Sequence, residues 1–291
     1  MNWNQHFNLF IGDREYQGLS PETLRYYRQC WERFKQYSGE EPTVDRMTLQ
    51  QYLISLQATH TPSSIATRWR GLKIFLKWCY VEEYSEFDPS RLKNPRAPFK
   101  KKQPLSEIEV LKLLNACRNF RDKAIVALLF DTGIRSKELC NLTVGDVDLV
   151  NRCVYVRNGK GGRDRIVPFS PSALRDLRKW AQQRNVESPW FFHVVKGEVG
   201  GALNRRWLHG LLMSAGKRAG LGEIVGPHKL RHSYARSYIA SNGNPMALQE
   251  TLGHSSIIVT QRYVNLNFED LKKSHITHSP LTNARLSSQK R

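Results

Sequence analysis

Between Asp88 and Pro104 the chain carries four prolines, Pro89, Pro95, Pro98 and Pro104, and the basic run Lys100-Lys101-Lys102. Proline lacks a backbone N–H, fixes φ and pushes the residue before it toward extended backbone. Few helices or strands survive that density, so the stretch reads as a linker. The 291 residues then divide into pieces of ordinary domain size, 1–88 and 105–278, joined by residues 89–104 and followed by a polar, disordered tail over 279–291.

Lys and Arg number 45 against 26 Asp and Glu, a surplus of +19, and the sequence pI is about 9.9. Like charges repel, so such a surplus points outward, to a phosphate backbone. The basic residues are spread along the chain and not gathered on one amphipathic helix, which favours nucleic acid over a membrane surface. With 40% hydrophobic residues the chain can bury a proper core. Cys30, Cys79, Cys117, Cys140 and Cys153 are odd in number, with no CxxC, and read as free thiols in a reducing compartment. No signal-peptide layout or long apolar run occurs, so a soluble protein of the cytoplasm, associated with the nucleoid, is expected.

Up to about Tyr84 the pattern is helical. Helices are predicted over 4–16, from Ser20-Pro21 to about 37, over 48–56, and from Thr61-Pro62 to about 80. Leu24, Tyr27, Trp31 and Phe34 form one apolar stripe; Ile65, Trp69, Leu72, Phe75 and Leu76 form another. Such stripes are core before they are base-stacking platforms. Between them lie Arg25, Arg28, Arg68, Arg70, Lys73 and Lys77, which with Lys100, Lys101 and Lys102 are candidate phosphate contacts.

Ser106 and Glu109 form a capping-box pair that opens the second piece. Helices follow to about 116 and over 121–130. Gly133 then breaks the pattern and Ser136 restarts it, which sets Arg135 beside a helix N-terminus. The β-rich runs 153–157 and 165–168 flank Asn158-Gly159-Lys160-Gly161-Gly162, a hairpin tip bearing Lys160. Further helices are predicted over 171–184, 203–218, from Pro227 to Gly243, and from Pro245 to Gly253. A helix carrying Tyr263 and a last one over 268–275 follow.

His228, Arg231, His254 and Tyr263 gather donors near one another with few carboxylates, a composition suited to an oxyanion and to phosphate above all. A tyrosine can act as a covalent nucleophile. Any one histidine on a helix is more often a plain hydrogen-bonded residue. A zinc site at His228 and His232 is the other sharp option, but Lys229 and Arg231 stand between them and no cysteine pair is near, so no metal is expected.

Together these boxes resemble the tyrosine recombinases, the phage integrase family, over nearly the whole chain. They are Thr132-Gly133-Ile134-Arg135-Ser136-Lys137-Glu138-Leu139, Gly159-Lys160-Gly161, His228-Lys229-Leu230-Arg231-His232, Leu252-Gly253-His254-Ser255-Ser256 and Tyr263, in family order. Lys229 and Ser233 stand where many relatives have Asp and Thr. The resemblance implies a mainly α protein, with an N-terminal helical bundle that binds core DNA and a mixed α+β catalytic domain with a small antiparallel sheet.

It further implies that Tyr263 attacks a phosphodiester, that Arg135 and Arg231 hold the non-bridging oxygens, and that Lys160 protonates the leaving oxygen. His228 would be general acid/base, His254 a phosphate donor, and Glu138 an orienting group for Arg135 or His228. Neither cofactor nor metal is implied. The expected partner is double-stranded DNA with specific core sites, clamped by a dimer per site and a homotetramer on two sites, with accessory proteins or a second recombinase as further partners. The first helix starts near Met1, so a short Xer-like or transposon-resolvase-like type without an arm-binding domain is expected. Two rivals stand beside this: a non-catalytic DNA-binding regulator and a type IB topoisomerase-like enzyme.

Overall fold

The structure is a computed structural model that describes residues 2–97, 103–157, 164–195, 200–222 and 225–253. The chain divides into two units, Met1–Lys101 and Lys102–Arg291.

The first unit is four helices: α1 (Trp3–Tyr16), α2 (Pro21–Ser38), α3 (Arg46–Ser55) and α4 (Pro62–Val81). Each begins where a side-chain oxygen accepts a backbone N–H three residues on: Asn2 from Gln5, Ser20 from Thr23, Asp45 from Thr48 and Thr61 from Ser64. Asp45 is the cap that explains why α3 starts two residues before the expected Thr48. The two predicted stripes are both buried, and rings fill the space between helices. Phe75 of α4 lies 5.0 Å from both Phe7 and Trp31, edge-on to each.

The front of the proline-rich stretch is tied to this unit. Pro89–Arg91 forms a one-turn 3-10 helix and Leu92 is buried in the core. Trp69 Nε1 donates to Asn94 Oδ1 at 3.0 Å, Lys73 Nζ to the Leu92 carbonyl at 3.1 Å, and Lys77 Nζ pairs with Asp88 at 3.1 Å. Residues 88–94 are thus strapped along α4.

The second unit contains α5 (Glu107–Asn115), α6 (Phe120–Thr132), α7 (Ser136–Cys140), α8 (Pro171–Ala181), α9 (Arg205–Arg218), α10 (Pro227–Ala240) and α11 (Pro245–Leu252). Between α7 and α8 lie β1 (Val147–Asp148), β2 (Cys153–Val156) and β3 (Arg165–Pro168), one antiparallel sheet in that order. The register pairs Val156 with Arg165 and Val154 with Val167. The two-residue β1 is too short to show in a sequence pattern. The α8 helix ends before the expected 184 because Arg184 turns back onto the Ser188 and Trp190 carbonyls. The core joins Leu113, Ile125, Leu128, Val154, Val167, Leu177, Phe192, Leu208, Leu212 and Leu230. Ser233, fully buried, accepts the Leu105 N–H at 2.7 Å and so pins the start of this unit to α10.

The described residues are mainly α with one small antiparallel sheet, as the family resemblance implies. All five cysteines are free thiols, four of them buried. Among the described residues no helix is long and apolar enough to cross a membrane, and no three His, Cys, Asp or Glu gather as a metal-holding group.

Candidate active site

The site is built on helix ends. Helix α6 stops because Gly133 takes a left-handed conformation, φ +62°, and closes the helix with its N–H on the Leu129 carbonyl. The chain turns through buried Ile134 and delivers Arg135 as the residue that starts α7. Glu138, three residues on, reaches back: its Oε2 accepts the Arg135 backbone N–H at 2.7 Å and its Oε1 accepts Arg135 Nη1 at 2.7 Å. Both carboxylate oxygens of Glu138 are thus bonded to Arg135.

Arg231 sits on the inward face of α10, one turn after the exposed His228. Its guanidinium is buried and donates from Nη1 to the Gly133 carbonyl at 2.6 Å and from Nη2 to the Leu252 carbonyl at 2.7 Å. Arg135 Nη2 donates to the next carbonyl, that of Gly253, at 2.8 Å. Two arginines from separate elements thus meet where α11 ends. Gly253 closes α11 with φ +61°, and His254 follows it in the sequence. Lys160, His254 and Tyr263, and with them Lys100, Lys101 and Lys102, lie outside the described residues.

Arg165 belongs to this cluster although the sequence reading passed over it. Its Nη1 and Nη2 grip the two oxygens of Glu138 at 3.0 and 2.8 Å, and its Nε donates to the Thr251 carbonyl at 2.8 Å. A sequence signal existed. In Arg165-Ile166-Val167-Pro168, Arg165 shares the inward face with buried Val167, while Ile166 is exposed. An arginine on an inward strand position needs a buried acceptor.

Burial opposes ionisation of Glu138, but the Arg165 hydrogen bonds, the Arg135 amide, the Arg165 charge and the Arg135 side-chain hydrogen bond outweigh it and hold the carboxyl at about 2. The carboxylate is therefore a fixed anion at neutral pH. Arg135, Arg165 and Arg231 against Glu138 leave this knot of named groups with a net positive charge, an environment for an anion in low dielectric.

The candidate phosphate contacts of the first unit separate. Arg25 and Arg28 are exposed on α2 and line one groove with Asn4, Asn8 and Lys35; Arg28 also pairs with Glu15 at 3.0 Å. Arg70, Lys73 and Lys77 line another groove with Arg14, Trp69 and Trp78. Lys73 and Lys77 are engaged in strapping residues 88–94, and Arg68 is bonded to Ser64 within its own helix.

Residues 103–270 match the phage integrase family. Along the sequence the chain is 31% identical over 260 residues to tyrosine recombinase XerA of Pyrococcus horikoshii, covering 89% of this chain and 88% of that protein. In structure it is similar to the Tn1549 transposon integrase in complex with a circular intermediate DNA, with a TM-score of 0.77, 18% identity and coverage of 95% and 99% of the two chains. It is also similar to a lambda integrase dimer bound to a core site, with a TM-score of 0.74, 18% identity and coverage of 89% and 97%. At that identity the structural likeness establishes the fold, while the match over more than half of the chain establishes descent. The chain belongs to the phage integrase family and is a site-specific recombinase of the tyrosine type.

Proposed function

We propose that the chain cuts and rejoins DNA at paired core sites through a transient 3′-phosphotyrosyl link to Tyr263. The observation that carries this reading is the meeting of Arg135 and Arg231 at the last carbonyls of α11, directly before the segment that holds His254 and Tyr263. Two guanidiniums held in this way can take two non-bridging oxygens of one phosphodiester and stabilise the charge that grows as a fifth oxygen approaches phosphorus.

In this reading the Tyr263 oxygen attacks phosphorus as His228 takes its proton, and the bond to the 5′ oxygen breaks. Lys160 protonates that oxygen, leaving a 5′ hydroxyl, while His254 donates to the phosphate. Glu138 keeps Arg135 aimed. The phosphodiester energy is kept in the phosphotyrosine, so a 5′ hydroxyl from a second duplex reverses the step and builds a Holliday junction. Two protomers per site and four on two sites follow from exchanging two duplexes, and the lambda integrase dimer bound to a core site supports the first of these. Both basic grooves of the first unit are proposed as backbone contacts, with the exposed Arg25, Arg28 and Arg70 the ones best placed to reach phosphate. Transposon or plasmid resolution and mobile-element integration are the roles that fit.

The test is covalent capture. The full chain is incubated in EDTA with a pool of short duplexes, each nicked once within a randomised core, and denaturant-stable adducts are sequenced and mapped by peptide mass. The expected result is an adduct on Tyr263 that is lost in Tyr263→Phe. Specific footprinting with no adduct would overturn the reading in favour of a non-catalytic DNA binder.

A further inference from the structure

The end of α11 is held by three arginines on three consecutive carbonyls. Arg165 donates to Thr251, Arg231 to Leu252 and Arg135 to Gly253, at 2.8, 2.7 and 2.8 Å. The last carbonyls of a helix have no partner within it and carry the negative end of its dipole, so cations are favoured there. Here the three come from β3, from α10 and from the start of α7. Two of them are the phosphate-binding arginines of the proposed reaction. The third has a different set of contacts: its two Nη atoms are spent on the two oxygens of Glu138, and its side chain is only 6% exposed.

We propose that Arg165 is a positioning residue for DNA cleavage, setting Arg135 through Glu138 and fixing the end of α11 from which the His254–Tyr263 segment departs; the inference rests on the recombinase reading above. The Nε and both Nη atoms of Arg165 are engaged by Thr251 and Glu138. Glu138 has four acceptor sites in use, two for Arg135 and two for Arg165. Removing Arg165 halves its anchorage and frees it to swing with Arg135. Arg165 is also the first residue of β3, the strand that follows Lys160 in the sequence and pairs with β2. Its contact therefore ties one foot of that hairpin to the arginine cluster. Arg165 and Arg135 are charged groups bonded to the Glu138 carboxylate.

The test compares adduct formation on one duplex selected by the wild-type protein, across pH, for wild type, Arg165→Met, Arg165→Lys, Glu138→Gln and the pair Arg165→Met with Glu138→Gln. Loss of a supporting contact of this kind costs about 10- to 100-fold in rate. That loss is expected at neutral pH for both Arg165 variants: Met makes none of the contacts, and the one ammonium of Lys cannot reach two carboxylate oxygens and a carbonyl in the plane that a guanidinium spans. The Met variant should also gain a second titrating proton in its acid limb below about pH 5, as Glu138 loses its principal partner. The Lys variant, which keeps the charge, should not. Adding Glu138→Gln to Arg165→Met should cost far less than the product of the two single effects.

DNA binding and urea melts identify any variant that fails to fold; should Arg165→Met do so, Arg165→Lys carries the test by its rate. A Lys variant at the wild-type rate, an acid limb of unchanged slope in the Met variant, or multiplying effects in the double variant would each overturn the proposal. A wild-type protein that forms no adduct at Tyr263 would instead overturn the recombinase reading, and this inference with it.

Discussion

Gly133→Ala tests how tightly the site is wedged. Gly133 has φ +62°, and a Cβ there would lie 2.4 Å from Tyr234 Cδ1 and 2.8 Å from Leu252 Cδ2. Two costs follow. Left-handed backbone costs an alanine about 1–2 kcal/mol. Forcing a methyl into a filled space adds about 1–3 kcal/mol, since Tyr234 Cδ1 belongs to a rigid ring and Leu252 is fully buried. Gly220 in the same unit is the control: its φ is +68°, and an added Cβ meets nothing within 4 Å. Gly220→Ala therefore carries only the first cost. Urea melts of the full chain should show Gly133→Ala the less stable of the two by about 1–3 kcal/mol, a midpoint gap of about 0.5–1.5 M for a slope of about 2 kcal/mol/M. The Gly133 carbonyl accepts from Arg231, so adduct formation should fall further than stability alone requires. Equal costs for the two variants would refute the reasoning. They would mean that Tyr234 and Leu252 yield freely and that the turn before Arg135 is not braced by α10 and α11.

Glu138→Gln should show a pH-dependent stability gap. The folded carboxyl is held at about 2 against an ordinary 4.5. Its contribution is therefore full above the unfolded value and is lost as pH falls through the folded one, so the gap to wild type should close by about 3 kcal/mol between pH 5 and pH 2 in urea melts. A gap independent of pH would show that the carboxylate is not held as an anion by its arginines. Asn94→Ala removes the shared acceptor of Trp69 and Lys73, and should speed limited proteolysis within residues 88–97 several-fold while the helices stay intact by circular dichroism. Unchanged cleavage would mean that Leu92 burial alone holds the strap.

Much of the fold was legible because its signals are local. A cap acts on the amide three residues ahead, so Ser20, Thr61 and Ser106 mark helix starts without any knowledge of the rest of the molecule. An apolar stripe states which face will be inside, and Trp31, Phe34, Trp69 and Phe75 are inside. The stop at Gly133, the restart at Ser136, the hairpin strands and the end of α11 at Gly253 follow from the same short-range chemistry. The positive surplus and the ordered boxes around Arg135 and Arg231 were likewise readable from residue type and order.

What the sequence could not decide is whom a long side chain meets. Lys73 and Lys77 read as phosphate contacts, yet they lie against Leu92 and Asp88; Trp69 reads as plain core, yet its N–H holds Asn94. Ser233 looks like a mild substitution and is the buried acceptor that fixes Leu105, 128 residues away. Arg165 stood in a strand among ordinary charges until folding brought Glu138 and Thr251 to it, 27 and 86 residues along the chain. By itself the sequence determined the helices, their inner faces and the basic chemistry gathered near the C-terminus. Only the tertiary structure decided that three arginines would share the end of one helix, because hydrogen bonds between distant residues depend on how the elements pack, and no local pattern encodes that packing.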